Sequence, residues 1–94
     1  MEHGKAIKKP VEIDWFEWQN EPRLLMKWCE SFGDVTSENF TLKIEENLQL
    51  APLRVLTLEG ISYEVPSGYI IIRGVEGEYY PCEPTIFHKT YTTL

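Results

Sequence analysis

The stretch that most constrains this chain is Tyr69-Ile70-Ile71-Ile72-Arg73, an unbroken, β-branched run held between two turn segments. Pro66-Ser67-Gly68 precedes it and Gly74-Val75-Glu76-Gly77 follows it. So short an apolar run, bounded by Gly and Pro, reads as a strand. Because its apolar residues are consecutive rather than alternate, it reads as a central strand covered on both faces. A chain of 94 residues cannot build two separate cores. Residues 1–94 are therefore expected to form a single small domain, with 1–9 as a flexible or edge N-terminal arm.

The material for that core is present. The chain is 43% hydrophobic and 13% aromatic, outside the regime of disordered sequences. Trp15, Trp18, Trp28, Phe32 and the Ile70–Ile72 run are its expected members, each aromatic bringing a large buried area.

Around this strand the periods alternate. Val11, Ile13 and Trp15 face one way and Glu12 and Asp14 the other, giving a strand from Pro10 to about Trp18. Its alternation then flips at Phe16 and Trp18. Either a bulge near Trp15-Phe16 or cover on both faces would produce that. Asn20 reads as a helix cap with Pro22 in the first turn, and Gly33 as the stop. Between them Leu24, Leu25, Trp28 and Phe32 recur at helical spacing, so this stripe is expected to lie on the sheet. Phe40, Leu42 and Ile44 alternate as a strand. Leu53–Leu58 and Ile61–Val65 flank Glu59-Gly60 as a hairpin with a two-residue turn. Glu78-Tyr79-Tyr80 pairs back on Tyr69–Arg73, and Pro81 and Pro84 bar regular pairing between them. Thr85 caps a single turn, Ile86-Phe87-His88, and Lys89–Thr93 is the expected last strand. The fold class is α+β: one amphipathic helix packed on a mostly antiparallel, meander-like sheet of about five to seven strands.

Charge narrows the partners. Nine basic against fifteen acidic residues give a net charge of −6, which argues against a general nucleic-acid binder. No apolar run approaches the roughly 20 residues of a membrane span. No signal-peptide apolar region opens the chain, so the expected location is the cytoplasm. Cys29 and Cys82 lack a paired spacing. Their ordinary reading is two reduced thiols, with a Cys29–Cys82 bridge as the alternative.

The C-terminal third carries a resemblance. Tyr69 to Tyr91, with Gly74-Val75-Glu76-Gly77-Glu78-Tyr79-Tyr80-Pro81-Cys82-Glu83-Pro84 at its centre, resembles the ending of a family of short phage and prophage proteins. That ending typically reads IIKGVKGEFYPCKPDIFEKTYE. Lys8-Lys9-Pro10-Val11-Glu12-Ile13 is similar to the family's KKPVEIEAIQW opening, and Thr57-Leu58-Glu59-Gly60 also fits. The resemblance implies a phage or prophage gene expressed in a bacterial host cytoplasm. It brings no catalytic residues with it. Three positions depart from the pattern: Tyr69 stands where the family's turn has an acid, Glu83 replaces its Lys, and Thr85 replaces its Asp. An activity resting on that Lys or that turn acid would be altered here.

Chemistry-bearing constellations are few. Cys82 with His88 could suggest a thiol nucleophile and its base, but no orienting third residue is evident. The plainer reading is a packed cysteine and a surface histidine. Two Cys and two His without paired spacing do not make a tetrahedral metal site, and no phosphate-loop motif is present. No cofactor and no catalytic residue is assigned. The segment Glu78-Tyr79-Tyr80-Pro81-Cys82 is the candidate binding region. Alternation places Tyr79 and Tyr80 on opposite faces, one in the core and one exposed. Arg73, with Lys89 and Tyr91 nearby, would suit a planar, phosphorylated or acidic ligand. The plainer alternative is an Arg73–Glu78 cross-strand pair. The candidate ligand or partner residues are thus Arg73, Glu78, Tyr79, Tyr80, Lys89 and Tyr91. Two functions follow: a non-enzymatic host-takeover or anti-defence protein that binds a bacterial protein, or a small-ligand binder that sequesters a nucleotide signal. A homodimer is compatible with either.

Overall fold

A computed structural model describes residues 2–7, 9–34, 39–42 and 52–94. In these the chain is α+β, with six strands in two three-stranded antiparallel sheets and two helices. The first sheet joins β1 (Asp14–Glu17), β5 (Ile70–Arg73) and β6 (Tyr79–Cys82), with β5 in the middle. The second joins β2 (Phe40–Thr41), β3 (Leu53–Leu56) and β4 (Ser62–Val65), with β3 in the middle. Helix α1 (Pro22–Glu30) and helix α2 (Pro84–Thr90) contribute to opposite faces of the first sheet.

The central strand is covered as its composition demands. Ile70 and Ile72 pack with Phe87 of α2, while Ile71 joins Trp18, Leu25, Cys29, Val55 and Tyr79 in the larger cluster. The same two faces settle the flip in β1. Its register with β5 runs unbroken from Asp14↔Arg73 to Glu17↔Ile70, so no bulge is needed. Trp15 meets Phe87 of α2, its ring centroid 5.2 Å away, and Phe16 meets Trp28 of α1 at 5.3 Å. Trp15 nevertheless stays 41% exposed, because β1 is a sheet edge. Trp18 takes the buried place instead.

Helix α1 differs in detail from its sequence pattern. Asn20 is not the cap; it takes a left-handed φ of 61° where β1 turns into the helix, a conformation asparagine tolerates. Glu21 occupies the cap without a side-chain hydrogen bond, and Pro22 is the first helical residue. The buried positions are Leu25 and Cys29, with Trp28 packed beside them. Leu24, expected in the stripe, is 51% exposed, so the stripe sits one step round the helix.

The helix ends in a Schellman motif. Gly33, with φ 78°, donates to the Glu30 carbonyl at 2.8 Å, and Asp34 donates to the Cys29 carbonyl at 3.2 Å. That return brings Asp34 back against the end of the helix.

Two hairpins share one turn design. In β3–β4, Gly60 donates to Thr57 at 2.9 Å and Thr57 to Ile61 at 3.0 Å. In β5–β6, Gly77 donates to Gly74 at 3.0 Å and Gly74 to Glu78 at 2.8 Å. Each is a type I turn closed by a glycine in the left-handed region, at φ 81° and 80°. The first loop therefore holds three residues, Leu58 to Gly60, rather than the two expected. Pro81 lies inside β6, paired with Ile71, against the expectation that it would bar pairing. The Gly74–Glu78 bond sets the phase of the ladder, so the Ile71↔Pro81 pair is one whose N–H groups point outward. On an edge strand a missing outward N–H costs nothing.

The C-terminus is also corrected. Pro84 starts α2 and Thr85 is not its cap; the helix runs on through Lys89 and Thr90, where a strand was expected. Phe87 and Tyr91, four residues apart, stack at 5.1 Å and hold that last turn on the sheet. Ile44, expected in the strand of Phe40 and Leu42, lies outside the described residues.

Candidate functional site

The turns of the two hairpins bring their strands face to face across a groove of about 490 Å³. One wall is Thr57, Leu58, Glu59 and Tyr63 from the β3–β4 hairpin. The other is Glu78 to Pro81, most of the segment singled out in the sequence. The first wall is open and part apolar: Leu58 is 68% exposed, and Tyr63 is exposed beside it. Glu59 and Glu78 are the charged residues of the lining, and it contains no cation.

Each residue of the second wall is positioned by its pairing. Tyr79 pairs with Arg73 and points into the larger core, where it is 1% exposed. Its hydroxyl donates to Asp34 Oδ2 at 3.0 Å. Burial raises its pKa well above the tyrosine range, and hydrogen bonds with Cys29 and Asp34 raise it further. Burial likewise raises the Cys29 thiol, against the lowering effect of its bond with Tyr79. Tyr80 points to the opposite face, as alternation requires, but is half-buried rather than exposed. Burial and a hydrogen bond with Tyr91 raise its pKa too.

Glu78 folds back into its own turn. Its Oε2 accepts the Glu76 backbone N–H at 2.9 Å, and the carboxylate fills the space a side chain at Gly74 would need. The Arg73–Glu78 pair is not formed; among the described residues the ion pair is Arg54–Glu64 at 3.3 Å. Arg73 lies over Phe32, its Cζ 4.4 Å from the ring centroid.

The expected grouping of Arg73 with Lys89 and Tyr91 therefore divides. Arg73 and Tyr79 lie on the α1 face. Tyr80 and Tyr91 lie on the α2 face, and Lys89 is exposed on α2 itself. Only Glu78, Tyr79 and Tyr80 of the six candidates line the groove.

The thiols do not meet either. Cys29 packs on the α1 face and Cys82 on the α2 face, and both are free. The Cys82 thiol donates to the Glu83 carbonyl at 3.6 Å, and burial raises its pKa, with Glu83 adding to it. The His88 ring lies against Phe87 at 5.4 Å. Among the described residues no three His, Cys, Asp or Glu side chains converge to hold a metal ion.

Sequence reasoning missed two parts of this arrangement. The hairpin wall of Leu58 and Tyr63 carries no chemistry-bearing pattern. Asp34 did leave a signal, because a glycine that stops a helix returns the next residue onto it.

Comparison of the chain with protein-family models, with curated proteins and with solved structures finds no match.

Proposed function

We propose that this protein is a non-enzymatic binding module that docks a segment of a bacterial host protein in the groove between its two hairpins. The observation that carries the reading is the lining itself. Exposed Leu58 and Tyr63 offer an apolar wall, and Glu59 and Glu78 supply negative charge without a cation. Such a groove suits a segment with apolar side chains flanked by Lys or Arg. It disfavours a nucleotide, whose phosphates would meet carboxylates. The net charge of −6 would steer the same basic partner over longer range. A host-takeover or anti-defence role in a bacterial cytoplasm rests on the resemblance to phage and prophage proteins.

An array of extended peptides, equal in apolar content but graded from acidic to basic, tests the docking. Basic peptides should bind best, and binding should weaken as salt rises. Leu58→Asp should abolish it, and Glu59→Lys should invert the charge preference. Lys89→Glu, on the far face, should change neither. Acidic and basic peptides binding alike, or indifference to both groove variants, would overturn the proposal.

A further inference from the structure

Arg73 carries five N–H donors and no acceptor. Its Nε is shut off from solvent and has no hydrogen-bond partner among the described residues. No carboxylate pairs with it among the described residues. Asp34 and Arg73 both act on the Cys29 thiol, one raising and one lowering its pKa, yet the Asp34 oxygen that is engaged takes the Tyr79 hydroxyl. Phe32 steadies the cation through its ring face, which accepts no ordinary hydrogen bond. A guanidinium held in a half-buried place without an acceptor is costly unless something supplies the oxygens.

The backbone beside the fork carries no side chain to crowd it. The residue beside the fork is Gly77, and a Cβ built there would come within 3.2 Å of Nη2. Glu78, the acid closest in sequence, is turned away into the Glu76 backbone. Arg73 does not line the groove between the hairpins, so this place is separate from the one described above.

We propose that Arg73 is the receptor for one oxyanion of a small ligand, a carboxylate or phosphoryl group gripped by the Nη1 and Nη2 atoms of the guanidinium. A planar fork of donors matches two oxygens of either group. Stacking on Phe32 holds the fork in one orientation before the ligand arrives, so less freedom is lost on binding.

The test uses the full chain labelled with nitrogen-15, at constant ionic strength. Inorganic phosphate and acetate are titrated in separate arms, with chloride as control, and the Arg73 Nε–H resonance and the melting temperature are followed. Phosphate, acetate or both should move the Arg73 resonance saturably and raise the melting temperature, while chloride does neither. The arm that saturates at lower concentration identifies the group the ligand carries. Arg73→Gln should weaken that binding by at least about tenfold. Arg73→Lys, which keeps the charge but not the planar fork, should fall between the two. The proposal is overturned by non-saturating shifts in both anion arms, by an equal response to chloride, or by undiminished binding in the variants. Leu58→Asp should leave this titration unchanged, which separates failure here from failure of the groove.

Discussion

The two hairpins are built on the same turn and live in different surroundings. β5–β6 is enclosed. Ile70, Ile71 and Ile72 are each 2% exposed or less, β1 covers one side of β5, and both faces meet helix side chains. β3–β4 is open along one face. Leu53, Val55 and Val65 are buried on one face, while Leu56, Ser62 and Glu64 on the other stay in solvent. The turns differ in the same way. Nothing lies within 4 Å of a side chain added at Gly60, whereas Gly77 has Arg73 beside it and Gly74 has the Glu78 carboxylate. A turn type is thus a local choice of a few residues, and what the hairpin can do is decided by what packs on it. The enclosed hairpin supplies stiffness, and the open one supplies exposed apolar surface at the groove.

The sharpest contrast lies in the strands. Ile71→Ala empties a site that is 0% exposed and should cost about 2–5 kcal/mol. Leu56→Ala, on the open face, should stay within about 0.5 kcal/mol. Urea unfolding of both variants measures the difference. Equal midpoints would mean that the two hairpins are not distinguished by burial.

A second contrast is chemical. Tyr79 of the enclosed hairpin anchors Asp34 through its hydroxyl, whereas Tyr63 of the open one lines the groove. Tyr79→Phe should cost about 1–2 kcal/mol, because Asp34 loses its partner. The raised pKa values of Tyr79 and Cys29 also fix a sign. Folding holds both protons more tightly than the unfolded chain does. The associated stability is fully present below the ordinary values of 9.0 for the thiol and 10.0 for the phenol, and is lost as pH climbs past them. Tyr80 and Cys82 act in the same direction. The chain should therefore weaken as pH rises above about 9, and Tyr79→Phe should weaken less steeply. An equal slope in wild type and variant would remove Tyr79 from this account.

Local chemistry explains which parts of this structure could be read in advance. The Ile70–Ile72 run, the Gly33 stop and the opposition of Tyr79 to Tyr80 follow from composition and period alone. Spacing does not place Leu24, because Leu24 and Cys29 flank the same stripe and only the roll of the helix on the sheet decides between them. Apolarity alone puts Trp15 in the core, because it does not reveal that β1 is an edge. The last strand failed because Lys89 and Thr90 are held helical by Phe87 and Tyr91 against the sheet. Half of the groove was legible in Glu78 to Pro81. Its other wall was not, since residues 57–63 meet it through the packing of one sheet against another, which no period along the chain encodes.

The smallest expected effect is also the most direct comparison of the two turns. Gly60 and Gly77 occupy nearly the same left-handed φ, so alanine at either position carries the same backbone strain, about 1 kcal/mol. At Gly60 that strain is the whole cost, because the added methyl meets nothing. At Gly77 the methyl comes 3.2 Å from Arg73 Nη2, closer than atoms of this kind ordinarily sit. Arg73 must then give way, although it is held over Phe32. Gly77→Ala should therefore exceed Gly60→Ala by a few tenths of a kcal/mol, up to about 1 kcal/mol if Arg73 is displaced from the ring. Chemical denaturation of the two variants side by side reads the difference, and the Arg73 Nε–H resonance reports whether the guanidinium has moved. Identical costs with an unmoved resonance would mean that the fork is not confined at Gly77. Identical costs with a shifted resonance would mean that Arg73 leaves Phe32 without penalty, and that the stack contributes orientation but no stability.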